Sequence, residues 1–210
     1  MLCLDSKVDT NKKINNFIQR TENELDKFFG IKIDPVLIIL LNSRQDIDAV
    51  YGKKTPDWLV GFTRRNIIFI LNPKAYTKES SHRNPKDFWK TLKHEYCHLY
   101  FKKLTGDTYP NWLNEGLACY LAKQKRLLPK LSEALNILDV RNKGKYDVYT
   151  VGYYWVNLLI KKFGQKKLLK FIKSFKPQMT KSEFVGIFYR IYKIKFEPKS
   201  LGNLYNRQVN

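Results

Sequence analysis

The chain has 210 residues, 43% hydrophobic and 14% aromatic, with 39 lysines and arginines against 19 acidic residues and a formal net charge of +20. That length suits one domain with a core deep enough to need no disulfide staples, and the apolar and aromatic content excludes a disordered chain. No apolar run approaches the ~20 residues that a bilayer-spanning helix needs, which excludes a membrane-spanning protein.

Residues Thr10 to Phe29 predict an amphipathic helix. Ile14, Phe17, Ile18, Leu25 and Phe28 recur near a 3.6-residue period, and Gly30 stops it. Ile31 to Leu41 reads as a strand rich in Ile, Leu and Val. Ser43 to Tyr51 reads as a short helix closed by Gly52. Trp58 to Thr63 and Asn66 to Leu71 read as two strands around a turn at Arg64-Arg65, and Ala75 to Arg83 as a polar loop. From Asn84 onward the pattern is helical. Asn84 is a good N-cap, Pro85 suits the first helical position, and Asp87 places a carboxylate in the first turn. Gly106 ends that helix. Asn111 is a candidate cap for the next, which runs through Trp112, Leu117 and Leu121, with Pro129 as its limit. Further helices are expected over Leu131 to Leu138, Val151 to Phe163, Lys166 to Phe175 and Lys181 to Tyr192. The expected fold class is α+β, a single domain over 1–210. A small mixed sheet lobe with an edge strand comes first, over about 1–105. A mostly helical lobe follows, over about 106–210.

The first of the helices after Asn84 contains His94-Glu95-Tyr96-Cys97-His98. Residues four apart lie one turn apart on one helical face, so both imidazoles can point at one metal ion. Glu95 sits beside that face and can reach a water on the metal without being a ligand. A catalytic zinc takes three protein ligands and leaves a position open. Glu115, in Trp112-Leu113-Asn114-Glu115-Gly116, supplies the third if the loop Thr105 to Pro110 folds the second helix back on the first. The competing reading is two ordinary helical histidines, with Glu115 paired to a lysine. The chain has only three histidines; the third, His82, falls in the polar loop and is expected to be solvated.

This stretch resembles the gluzincin metallopeptidases, and within them the alanyl-aminopeptidase type, whose corresponding segment reads WLNEG. Glu115 stands 17 positions past His98, slightly closer than in that family. Tyr149-Thr150-Val151-Gly152 is similar to the family's Tyr-x-x-Gly, whose tyrosine stabilises the oxyanion. The resemblance covers roughly residues 58 to 205. It implies a zincin-like fold, a zinc site between the two lobes, and one zinc per chain on His94, His98 and Glu115. It also implies Glu95 as the catalytic base and Tyr149 as the oxyanion donor. Tyr146, Tyr153 and Tyr154 crowd beside Tyr149; Tyr153 is the second choice, and packing is the competing role for each. One departure matters. The aminopeptidases carry Gly-x-Met-Glu-Asn upstream, whose glutamate binds the substrate's free amine. Here the match is Gly61-Phe62-Thr63-Arg64-Arg65-Asn66, which lacks that glutamate and is basic. The strand Asn66 to Leu71 is expected to offer an edge to an extended peptide. The expected function is therefore zinc-dependent peptide hydrolysis, as an endopeptidase rather than an aminopeptidase, on peptide or protein substrates.

The charge allows a different class of function: a basic module that binds nucleic acid or an anionic surface and keeps the fold without significant proteolysis. The lysines are scattered in doublets such as Lys161-Lys162 and Lys166-Lys167, and arginine is the minority cation. A lysine-rich surface alone accounts for that, although nonspecific attraction to polyanions at low salt is expected. Cys3, Cys97 and Cys119 make an odd count with no CxxC pair. They read as small buried hydrophobes in a reducing compartment. Met1 to Asp5 lack the pattern of a secretory leader, so a cytoplasmic location is expected.

Overall fold

The computed structural model describes residues 8–107, 109–140 and 146–209, with side chains from 12 to 206 outside those gaps. Cys3 lies outside the described residues. The chain is α+β, with a three-stranded mixed sheet in its first half and helices thereafter. It divides into two compact units, Met1–Tyr100 and Phe101–Asn210.

In the first unit, α1 (Val8–Phe29) buries Ile14, Leu25, Phe28 and Phe29 along one face. The strand expected over Ile31 to Leu41 narrows to β1 (Leu37–Leu41). Pro35 has no N–H to give to a ladder, so the segment before Leu37 stays outside the sheet. Next comes α2 (Arg44–Tyr51), with Ser43 as its N-cap in a complete capping box with Asp46. The arginine that opens α2 staples the loop after it. The Arg44 guanidinium donates to the carbonyls of Pro56, Asp57, Leu59 and Glu79. β2 (Gly61–Arg64) and β3 (Ile67–Leu71) form a hairpin whose two-residue loop is Arg65-Asn66, with Arg65 in the left-handed region at φ 56°.

The strand order is β1-β3-β2, with β1 parallel and β2 antiparallel to β3. This corrects one expectation. The strand Asn66 to Leu71 is the centre of the sheet, not an edge, because Leu37–Leu41 pairs along its other side in register with Ile67–Leu71. Its continuous apolar run Ile-Ile-Phe-Ile-Leu fits burial on both faces. A second correction follows directly. Part of the supposed polar loop is a short helix, α3 (Pro73–Lys78), started by Asn72, whose side chain accepts from the N–H groups of Lys74 and Ala75.

The long helix α4 (Asp87–Thr105) begins two residues later than Pro85. Asn84 closes the turn before it by accepting the Lys86 N–H at 3.0 Å. Within the first unit α4 is gripped from two sides. From α1, Phe17 packs on Trp89 and Phe29 stacks on Tyr100, while the Tyr100 hydroxyl donates to Asp26 at 2.6 Å. Lys93 pairs with Glu24. From α3, Tyr76 meets Phe88 edge-on and shares a 2.6 Å hydrogen bond with the Thr91 hydroxyl. The boundary between the two units falls inside this helix.

In the second unit, Gly106 ends α4 at φ 74°, and a Cβ there would stand 2.5 Å from Pro177. Pro110, not Asn111, holds the N-cap position of α5 (Asn111–Leu121). That helix stops well before Pro129. Lys123 takes the left-handed conformation (φ 57°) and the Gln124 N–H reaches back to the Cys119 carbonyl at 2.9 Å, a Schellman closure. Next come α6 (Leu131–Ala134) with a 3-10 turn at Leu135–Leu138, α7 (Val148–Phe163), α8 (Gln165–Lys173), α9 (Lys181–Tyr192) and an unanticipated α10 (Pro198–Val209). Phe171, Phe175, Phe184, Phe188, Tyr192 and Phe196 form a connected aromatic core. Trp155 donates its indole N–H to the Ala134 carbonyl at 2.7 Å.

Candidate metal centre

The site is built by α4. A turn of 3.6 residues brings His94 and His98 to the same face, and their rings meet edge-on with centroids 4.7 Å apart at 87°. Glu95 lies beside them. One ligand atom from each of His94, Glu95 and His98 falls within 4.8 Å of the others, so this group could hold a metal ion. His94 and Glu95 are buried, each 6% exposed, and His98 is half-buried.

The donor set fits a transition-metal ion. His94 and His98 would hold such an ion through one ring nitrogen each. Imidazole nitrogens suit such ions, and the Glu95 carboxylate beside them is placed for a water on the ion rather than for the ion itself.

The helix is fixed where the histidines need it. One turn before Glu95, Thr91 is tied to Tyr76, and both are buried. Burial pushes the Tyr76 phenol up to about 12, and the carboxylates of Asp87 and Glu95 add to the rise. Glu95 is thus close enough for its charge to act on Tyr76. Sequence reasoning missed Tyr76, because Ala75 to Arg83 is dominated by polar residues. The signal was Asn72-Pro73, a cap followed by a first-turn proline.

The other expected site residues lie in the second unit. Glu115 sits half-buried on α5, and Tyr149 sits half-buried in the first turn of α7. These two helices cross where Gly116 meets Gly152. A Cβ on Gly116 would stand 2.2 Å from the Gly152 carbonyl carbon, and one on Gly152 would stand 2.0 Å from the Trp112 carbonyl oxygen. Only glycine at both positions permits this approach. Glu115 therefore adjoins the crossing on one helix, and Tyr149 precedes it by one turn on the other. The N–H of Tyr149 donates to the Asp147 cap at 3.0 Å, and the Arg126 guanidinium lies 5.4 Å from the centre of its ring. The same guanidinium reaches the buried Cys119 sulfur at 3.9 Å. Arg126 was not legible in the sequence: it is one of several cations in a loop.

The neighbouring tyrosines divide by environment. Tyr154 is buried against Trp155 and Tyr205, a packing role. Tyr153 faces Tyr120 across 6.5 Å, and burial raises its phenol, with Tyr120 and Cys119 adding to the effect. Burial also raises Tyr146, helped by Asp139 and Tyr109. Cys97 and Cys119 are buried, as expected. His82 is half-buried, with its Nε2 3.1 Å from the Trp58 carbonyl oxygen, so it is not simply solvated. Arg64 and Arg65 are exposed at the hairpin tip, Arg64 donating to the Val50 carbonyl at 3.3 Å. Comparison with protein-family models, with curated proteins and with solved structures gave no match to this chain.

Proposed function

We propose that the protein is a zinc-dependent peptidase of gluzincin type, acting on internal peptide bonds. His94, His98 and Glu115 would hold one zinc per chain. The observation that carries this reading is the gathering of His94, Glu95 and His98 within 4.8 Å on one rigidly held helix. Glu115 enters from its sequence setting, Trp112-Leu113-Asn114-Glu115-Gly116, and from the close packing that fixes its helix.

When bound, zinc supplies Lewis-acid chemistry, acidifying water and polarising a carbonyl. The Glu95 carboxylate accepts the proton of the attacking water at one of its oxygens. It then delivers that proton to the departing amide nitrogen as the C–N bond breaks. The Tyr149 hydroxyl donates a hydrogen bond to the carbonyl oxygen as negative charge builds there. With β3 paired on both sides, β1 and β2 are the sheet's two edges, and the outer edge of β2 (Gly61–Arg64) is where an extended substrate would add a strand. Arg64 and Arg65 at its end favour acidic residues in that substrate and disfavour a free amino terminus.

The test is elemental analysis of protein purified without chelator or histidine tag, alongside hydrolysis of a mixed peptide library. We expect about one zinc per chain, as for a three-ligand site. His94→Ala and Glu115→Ala should lose it. Glu95→Gln should keep the metal and lose activity by roughly 10²-fold or more. A folded wild-type chain that takes up no zinc ends the proposal. Loss of metal in Glu95→Gln would make Glu95 a ligand and remove it as the base.

A further inference from the structure

The second unit contains a cleft of roughly 540 Å³ whose walls come from the end of α7, from α9, and from the start of α10. Lys162, Lys193, Lys195 and Lys199 line it, and one carboxylate, Glu197, shares the lining. That carboxylate already accepts the Ser200 hydroxyl at 3.0 Å. Tyr189 also lines the cleft and leaves 51% of its surface exposed. The closure of α9 is made by Lys193 in the left-handed conformation (φ 60°), where glycine is the unstrained choice. The chain accepts that strain at a lysine that lines the cleft.

Four lysines lining a concave wall concentrate positive potential more than the same charges on a convex surface. Further lysines line a second groove in the same unit. This groove, of about 430 Å³ on α8, is lined by Lys166, Lys170 and Lys173. Only four positions separate Lys162 of the first from Lys166 of the second. Extended runs of cations suit a polymer rather than a single phosphate. The exposed phenol ring suits a base, since an aromatic face beside a cationic track is how single-stranded nucleic acid is held without sequence readout. A planar lipid surface would not enter a concave site.

We propose that this unit binds single-stranded nucleic acid, with phosphates against Lys162, Lys193, Lys195 and Lys199 and a base stacked on Tyr189. The inference rests on the second unit alone and does not depend on the peptidase reading.

The test is fluorescence anisotropy of the full chain with labelled 12-mers of oligo-dT and oligo-rU across a salt series. Tyr189→Ala should weaken binding roughly tenfold. Lys193→Gln with Lys199→Gln should lower the salt slope by about 1.4, at about 0.7 per lost phosphate contact on a single strand. Lys12→Gln with Lys74→Gln, equal in net charge and exposed in the first unit, should change neither. All the mutated side chains named here lie at the surface or line an open cleft, and circular dichroism checks that each variant folds. Equal losses in the two lysine pairs would mean attraction by net charge alone and overturn the site. Unchanged binding in Tyr189→Ala, with inorganic polyphosphate of matched charge binding as tightly as oligo-dT, would overturn nucleic acid as the ligand. Binding of either oligonucleotide with the expected variant pattern supports the proposal, and the dT and rU arms separate DNA from RNA.

Discussion

Tyr76 is the residue on which the histidine helix leans. Its hydroxyl and that of Thr91 are each other's partners at 2.6 Å in a buried setting, one turn before Glu95. Tyr76→Phe keeps the ring against Phe88 and removes only the oxygen, leaving the Thr91 hydroxyl buried without that bond. We expect a loss of about 1–3 kcal/mol in urea unfolding, the cost of an unsatisfied buried hydroxyl. No change in the midpoint would mean that Thr91 finds another partner. His94, Glu95 and His98 could be read from the sequence because helical spacing alone decides that they meet. Tyr76 could not. Its segment, Ala75-Tyr76-Thr77-Lys78-Glu79-Ser80-Ser81, has two apolar residues among polar ones, and no period marks one face.

At the scale of elements, two glycines in helices make opposite predictions. Gly116 faces the backbone of Gly152 with no room for a methyl group, and a backbone cannot swing aside as a side chain can. Gly116→Ala should therefore push α5 from α7 and cost about 2–3 kcal/mol or more, measured by thermal or urea denaturation. Gly186, on α9, has open space where a Cβ would go. Gly186→Ala should stabilise the chain by about 0.5–1 kcal/mol, the difference in helix propensity. If both changes were neutral, the helix crossing would be looser than the Gly116–Gly152 contact requires. Most helices were legible because their caps are local: Ser43 with Asp46, Thr180 with Glu183, and Gly164 before α8. The sheet was less so. Whether Ile67–Leu71 is an edge depends on Leu37–Leu41, some thirty positions earlier, pairing beside it. Local alternation carries no information about that. Its unbroken apolar run was the available signal for a central strand.

For the whole molecule, the buried tyrosines set an upper pH limit. Tyr76, Tyr96, Tyr100, Tyr154 and Tyr192 are all buried, and burial is the largest cause holding each phenol above its ordinary value. A group whose folded pKa is raised gives stability that is complete below the unfolded pKa and is lost as pH climbs through the folded one. For Tyr76, rising from 10.0 to about 12, the loss would reach about 2–3 kcal/mol at most. Stability should thus be level to about pH 9 and fall steeply from about pH 10 upward. Tyrosinate absorbance should then appear together with the loss of helical dichroism. Phenols that ionise near pH 10 while the helices persist would contradict this burial. The charge could be counted from composition, but its focusing into the cleft beside Tyr189 could not, because α7, α9 and α10 come together only in the fold.

The place where the two units divide lies inside α4, between Tyr100 and Phe101. There is no linker at that point for a protease to trim harmlessly. A nick there would strand the last carbonyls on one side and the first N–H groups on the other, and each new end would fray over about one turn. His98 stands within that turn on the upstream fragment, whereas His94 does not. The imidazole pair would then keep its geometry only as far as Tyr100, at the new end, stays held by Phe29 and Asp26 of α1. In this chain the hold of α1 on Tyr100 would decide whether two histidines remain one site.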